Sequence, residues 1–306
     1  MKRQPRNIAA SHRAKLLALS KERGEDFQFL LGRWIIERFL FRLSASRHKH
    51  SFVLKGAMLF LALGGKVYRP TRDLDLLGYG NAEVGDVVAR IAEICSVPAR
   101  DGIVFETEAI EAERIREETE YEGVRIWIPV VLDGAKVTIQ IDVGFGDDVQ
   151  PAPAEIPFPT LLPLDPPVVR AYPVEAVIAE KLQALVILGI ANSRMKDFYD
   201  LWTCAATEQF DIRQVARSIQ ATFERRRTPL PETVPTALTD EFLFDPAKRA
   251  QWDAFCRRLR LSEKPSLEFV GRQIREFLMP AIERARNPGD QVLIWTPPGP
   301  WRESHR

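Results

Sequence analysis

The residues best placed to do chemistry lie in Arg72-Asp73-Leu74-Asp75-Leu76, where two carboxylates stand two positions apart in an apolar run. Side chains alternate along a strand, so Asp73 and Asp75 share one face while Leu74 and Leu76 point to a core. Paired carboxylates repel unless a cation sits between them, and hard oxygen ligands favour Mg²⁺, with Mn²⁺ as its closest substitute. A third acid, Asp142, lies in Lys136 to Gly144, where Val137, Ile139, Ile141 and Val143 take one face and Thr138, Gln140 and Asp142 the other. Two divalent ions carry more charge than two carboxylates neutralise, so a third acid on a neighbouring strand suits a two-metal site. The plainer reading of Asp142 is a solvated residue on a hairpin. Seventeen residues before Asp73, Lys55-Gly56-Ala57-Met58 offers a glycine turn ahead of a helix. Backbone amides at a helix start bind phosphate, and Mg²⁺ commonly comes with substrate phosphates, so the pattern describes a nucleotide-handling centre.

The elements that must hold these residues follow from periodicity. Helical spacing runs through residues 11 to 45 and breaks at Gly24, giving two helices. Phe52-Val53-Leu54 reads as a strand, Ala57 to Leu63 as a helix ending at Gly64-Gly65, and Val84 to Cys95 as an amphipathic helix. Ile103 to Ile110 and Gly123 to Leu132 alternate as strands, and Asp133-Gly134 signals a hairpin. Eight prolines between Pro151 and Pro173 predict an extended connector that is neither helix nor central strand. Helices are then expected over Val174 to Leu188, Asn192 to Ala206, Ile212 to Arg227, Pro246 to Leu259 and Ser266 to Ala285, with Thr228 to Pro235 a proline-rich loop. The expected organisation is an α/β domain over 1–150, a connector over 151–173, a helical domain over 174–286 and a loosely held tail over 287–306.

Composition narrows the classes. A chain of 306 residues with 45% hydrophobic content buries a sizeable core. Its formal net charge of +1 gives no general attraction to nucleic acid, so such binding must rest on local patches. Cys95, Cys204 and Cys256 form no CxxC pair, which argues against a zinc module or a disulfide framework and fits a reducing cytoplasm. The basic N-terminal stretch lacks a signal-peptide pattern, and no apolar run is long enough to span a bilayer.

Four segments together carry a resemblance: Phe52-Val53-Leu54-Lys55-Gly56, Arg72-Asp73-Leu74-Asp75-Leu76, Ala179-Glu180-Lys181-Leu182-Gln183-Ala184-Leu185 and Arg194-Met195-Lys196-Asp197-Phe198-Tyr199-Asp200-Leu201. In this order they resemble the AbiEii family of nucleotidyltransferase toxins, with its MenT-type members, in the DNA polymerase β-like superfamily. The resemblance spans most of the chain. It implies an α+β fold with a polymerase β-like mixed sheet in the N-terminal half and an all-helical C-terminal domain. It also implies transfer of a nucleoside monophosphate from an NTP to an acceptor, tRNA 3′ ends in MenT-like members, and a cognate antitoxin as partner. Asp73 and Asp75 would hold metal, and Asp142 would orient or deprotonate the attacking hydroxyl. Lys55, Gly56, Ala57 and Arg72 would border the nucleotide, Lys181 would meet the triphosphate, and Asp197 would be a further active-site acid. Many superfamily members place a hydroxyl residue after the glycine, whereas this chain has Ala57, so phosphate contact there falls to the backbone.

Each assignment has a plainer counterpart. Lys181 lies on an amphipathic helix where a lysine ordinarily faces solvent. Asp197 and Asp200 stand three apart on one helix face, where one can cap the helix or pair with Arg194; Asp197 is favoured for the site and Asp200 for structure. Basic clusters at Lys2-Arg3 with Arg6, Arg13 and Lys15, at Arg47-His48-Lys49-His50, at Arg225-Arg226-Arg227 and at Arg257-Arg258 with Arg260 can follow a phosphate backbone or be solvated faces. His48 and His50 read as surface residues. The competing functions are the same chemistry on a protein or small-molecule hydroxyl, and a silent binding protein on the same fold.

Overall fold

A computed structural model describes residues 7–64, 73–116, 122–146, 149, 151–259 and 264–304. Arg72, proposed at the nucleotide, lies outside the described residues, as do Lys2, Arg3, Arg6 and Arg260. The chain divides into two compact units, Met1–Asp148 with Pro153–Tyr172, and Val149–Ala152 with Pro173–Arg306.

The first unit opens with two helices, α1 (Ile8–Arg23) and α2 (Phe27–Ala45). Gly24 ends α1 in the left-handed region at φ 64°, where a Cβ is disfavoured, and Asp26 caps α2 by accepting from the Phe29 amide at 2.8 Å. The strands are β1 (Phe52–Lys55), β2 (Asp73–Gly78), β3 (Val104–Phe105), β4 (Glu111–Arg116), β5 (Glu122–Leu132), β6 (Ala135–Gly144), β7 (Ala154–Pro157) and β8 (Val168–Ala171). Helix α3 (Gly56–Gly64) follows β1, and α4 (Val84–Cys95) follows β2. They form one mixed sheet in the order β3-β5-β6-β2-β1-β8-β7, with β4 on β5.

The hairpin between β5 and β6 turns at Asp133 and Gly134 with φ 46° and 77°, the two positive values that a tight two-residue turn needs. That turn fixes register, and register fixes faces. Leu54, Leu74, Leu76, Val124, Ile126, Ile128, Ile139, Ile141 and Val143 fall on one face and are all buried. Helix α2 covers that face: a Cβ on its Gly32 would lie 3.9 Å from Val137, on the same side as Ile139. Asp101, fully buried, ties α2 down by accepting from Arg42 at 2.6 and 2.9 Å and from Arg38 at 3.2 Å.

Two expectations need correction here. The proline-rich segment is not merely a connector, because β8 pairs parallel with β1 and β7 pairs antiparallel with β8. Its prolines flank β8 instead of interrupting it, and Pro157 ends β7 at the sheet edge, where a missing N–H costs least. Ile103 to Ile110 is only a two-residue strand followed by a single 3-10 turn over Thr107–Ala109.

The second unit contains α5 (Val174–Leu188), α6 (Met195–Thr207), α7 (Ile212–Arg225), α8 (Asp240–Leu243), α9 (Pro246–Leu259) and α10 (Leu267–Arg286). It is not wholly helical. Strands β9 (Phe210–Asp211), β10 (Leu293–Trp295) and β11 (Trp301–Glu303) make a small antiparallel sheet. The segment after residue 287, expected to be loose, is therefore packed. Trp295 is fully buried and donates from Nε1 to the Ala205 carbonyl at 2.6 Å, while Trp301 stacks on Phe277 at 5.5 Å. Buried indole surface outweighs the segment's polar composition. No helix among the described residues is long and apolar enough to cross a membrane.

Candidate active site

Strand pairing aligns the acids. On the polar face of the sheet, Lys55 of β1 is opposite Asp75 of β2, Asp75 is beside Asp142 of β6, and Asp142 is opposite Arg125 of β5. Partners across a ladder share a face, so one row crosses four strands with two cations bracketing two anions. Asp73 lies one pleat along β2 on the same face, beside Gln140. The sequence alternation assigned these faces; it could not show that β2 and β6 are neighbours.

Gly56 has a more specific reason to be glycine than a generic turn. Its φ is 69°, and a Cβ built there would lie 2.7 Å from the Asp75 Cβ and 2.5 Å from its carboxyl carbon. The residue is bare because the Asp75 carboxylate passes over it. Ala57 follows in the first turn of α3 with its side chain buried, so only backbone is available there for an anion. Lys55 Nζ lies 5.4 Å from the centre of the Tyr172 ring.

Arg125 escaped the reading of the sequence. Its Nε and Nη2 donate to the two Asp142 oxygens at 2.9 and 2.8 Å, and the Gln140 amide donates to the same oxygens at 3.1 and 3.3 Å. The hydrogen bond to Asp142 is the main reason the guanidinium holds its proton more tightly than usual, outweighing burial, with the charges of Asp142, Asp73 and Glu113 adding to it. An arginine in alternating sequence is indistinguishable from a solvated one until the partner strand is known.

The donor set of Asp73 and Asp75 suits a divalent cation: two hard carboxylates on one face, with Gly56 leaving the second one room. Asp142 adjoins them but serves Arg125, and among the described residues no three His, Cys, Asp or Glu side chains converge on a common metal position. Asp73 and Asp75 are thus the residues that would hold a metal, which supplies charge neutralisation to phosphate oxygens when bound.

A second cluster is built entirely in the helical unit. Lys181 on α5 sends Nζ to Asp197 Oδ1 at 2.7 Å and to Asp200 Oδ2 at 2.8 Å, both carboxylates being almost fully buried on α6. Arg194 closes the other side of Asp197, with Nε 2.7 Å from Oδ2. Burial opposes the charge on Lys181, but the two aspartates overcome it and raise its pKa. Burial likewise opposes ionisation of Asp197, and Lys181 and Arg194 reverse that, so its pKa is lowered. Asp200 and Asp197 share the task of holding Lys181, a symmetry that the i, i+3 spacing alone does not distinguish from capping.

The AbiEii family profile, described as Nucleotidyl transferase AbiEii toxin, Type IV TA system, matches residues 38–285. The chain belongs to the AbiEii family. It is a nucleotidyltransferase of the toxin–antitoxin class, and that class implies an antitoxin as its partner. Among solved structures this AbiEii chain is similar to JHP933 from Helicobacter pylori, at 14% identity over 85% of this chain and 94% of the other, with a TM-score of 0.50. It also resembles a candidate nucleotidyltransferase from H. pylori at 13% identity, covering 87% of this chain and 99% of that one, with a TM-score of 0.49. At 14% identity the likeness to JHP933 speaks to the fold alone. No curated protein matches the AbiEii chain.

The basic clusters separate on inspection. Arg47 and His48 both engage Glu93, and His48 is buried instead of on the surface. Arg226 donates to Gln183 at 2.8 Å, and Arg225 and Arg226 each approach Glu180 to 3.8 Å. Arg257 and Arg258 are exposed.

Proposed function

We propose that this AbiEii enzyme transfers a nucleoside monophosphate from an NTP to an RNA acceptor, the 3′ end of tRNA, with Mg²⁺ held by Asp73 and Asp75. The acceptor hydroxyl oxygen bonds to the α-phosphorus, the bond from that phosphorus to the pyrophosphate oxygen breaks, and the hydroxyl proton leaves to a base. Such in-line displacement needs positioning and charge compensation more than covalent help. The observation that carries the reading is the in-register row Lys55, Asp75, Asp142 and Arg125, with Asp73 one pleat away.

Within this reading each residue has a task. Asp75, lying over Gly56, adjoins the start of α3, where the first amides of a helix have no intrahelical partners. Asp142 accepts the proton of the attacking hydroxyl or orients it, and Arg125 sets the direction of its carboxylate. Lys181, kept protonated by Asp197 and Asp200, is the cation for the triphosphate. A tRNA acceptor places the work in the cytoplasm.

The test is incubation of the full chain with each labelled NTP, Mg²⁺ and total tRNA, beside Asp75→Asn, which keeps volume and removes a charge. Label on tRNA that Asp75→Asn abolishes is the expected result. Folded protein that labels no RNA with any nucleotide refutes the acceptor, and label on protein or on a small molecule reassigns it.

A further inference from the structure

The helical unit contains a cavity of about 360 Å³ that none of the four family segments reaches. It opens between α7, the end of α10 and the chain that follows, and three arginines line it: Arg213, Arg217 and Arg284, with Asp211 as its one acid. Three guanidinium groups against one carboxylate leave an excess of positive charge in one concave space. The volume is in the range of small-ligand sites.

Two of the arginines are fixed by the fold. Arg213 is clamped on Asp211, with Nε and Nη2 between 2.6 and 3.2 Å from its oxygens. Arg284 donates from Nη1 to the Gly289 and Gln291 carbonyls at 2.6 and 2.9 Å, which holds the chain after α10 as one wall. Arg217, one helical turn beyond Arg213, uses Nε on the Arg213 carbonyl at 3.2 Å and forms no ion pair among the described residues. Its fork is thus mounted on the helix with its terminal donors available, and Gln214 and Gln220 on the same helix add amide donors to the lining. Ala216 and Ala285 keep the floor small. Arginine forks at fixed positions match phosphate oxygens, which accept in pairs.

We infer that this cavity is a phosphate-binding subsite for the backbone of the RNA acceptor, with Arg217 as its principal contact and Arg284 as its support. The inference rests on the RNA reading above and adds a second place where the acceptor is gripped. The chemistry recognised is a phosphodiester, so nucleotide sequence is immaterial to it.

The experiment measures binding of labelled tRNA to the full chain by fluorescence anisotropy across a salt series, without NTP, for the wild type and for Arg217→Gln and Arg284→Gln. Arg217 is exposed, so its replacement leaves the core intact. Loss of a backbone contact lowers the slope of log affinity against log salt by about 0.7 to 0.9. The expected result is that reduction with a severalfold weaker affinity at moderate salt, while the thermal shift produced by NTP and Mg²⁺ stays at the wild-type value. Unchanged slope and affinity in both variants, with wild-type tRNA binding intact, overturns the subsite and spares the acceptor assignment. A wild-type chain that labels a protein but neither binds nor labels tRNA refutes the acceptor reading and the subsite with it. Loss of the NTP thermal shift in Arg217→Gln, or displacement of tRNA by pyrophosphate in the wild type but not in the variant, reassigns the cavity to free phosphates and also overturns the inference.

Discussion

Glu37 gives the folded chain a pH dependence whose size and sign can be worked out. It sits in the middle of α2 with 1% of its surface exposed, Oε2 accepting from the Leu161 amide at 2.8 Å and Oε1 without a hydrogen-bond partner. Burial pushes its pKa from 4.5 up to about 7, against the opposing pull of the Leu161 amide and of Arg38 and Arg33. The folded chain therefore keeps a proton that the unfolded chain releases between pH 4.5 and about 7. Stability is complete below the unfolded value and falls as pH rises through this window. At about 1.4 kcal/mol per pH unit, the loss by pH 8 is about 3 kcal/mol. Glu37→Gln carries no proton to lose and keeps an acceptor for Leu161, so this pH dependence should vanish. Native-state hydrogen exchange of the α2 amides at pH 5 and pH 8, corrected for intrinsic rates, measures the difference within the first unit. Parallel profiles for the wild type and the variant would refute the argument that an uncompensated buried carboxyl governs this unit.

Four other perturbations address the site and the fold. Gly56→Ala forces a Cβ into a left-handed residue and into the Asp75 carboxylate; about 1–2 kcal/mol of backbone strain, seen as a lowered melting temperature, should accompany a loss of nucleotidyl transfer. Lys181→Met takes the shared cation from between Asp197 and Asp200 and leaves Arg194 on Asp197, and it should cost about 3–5 kcal/mol in urea unfolding; Lys181→Arg should recover part of it. Arg125→Gln leaves Asp142 uncompensated beside Asp75, so Mn²⁺ should raise the melting temperature of the variant more than that of the wild type, read by scanning calorimetry. Ending the chain at Arg286 removes the buried Trp295 and the stacked Trp301; a loss of about 3–5 kcal/mol in the helical unit is expected by denaturant titration.

The sequence by itself determined the local elements and the faces of the strands. The helix end at Gly24, the helix over Val84 to Cys95 and the turn at Asp133-Gly134 rest on backbone preferences and apolar periodicity that act within a few residues. The assignment of Asp73, Asp75 and Asp142 to polar faces needed only the two-residue period of a strand. The order of four short segments was enough to suggest the family, which the profile over residues 38–285 bears out. Tertiary structure alone decided which strands are neighbours, and with that the pairing of Asp142 to Arg125, seventeen residues away along the chain and directly opposite across the sheet. It also decided that Gly56 makes way for a carboxylate, that both Asp197 and Asp200 hold Lys181, and that a polar, proline-rich tail packs through two indoles. These are encounters between distant residues. Local composition does not encode them, since the free energy that fixes them comes from burial and charge pairing available only once the sheet and the helices have come together.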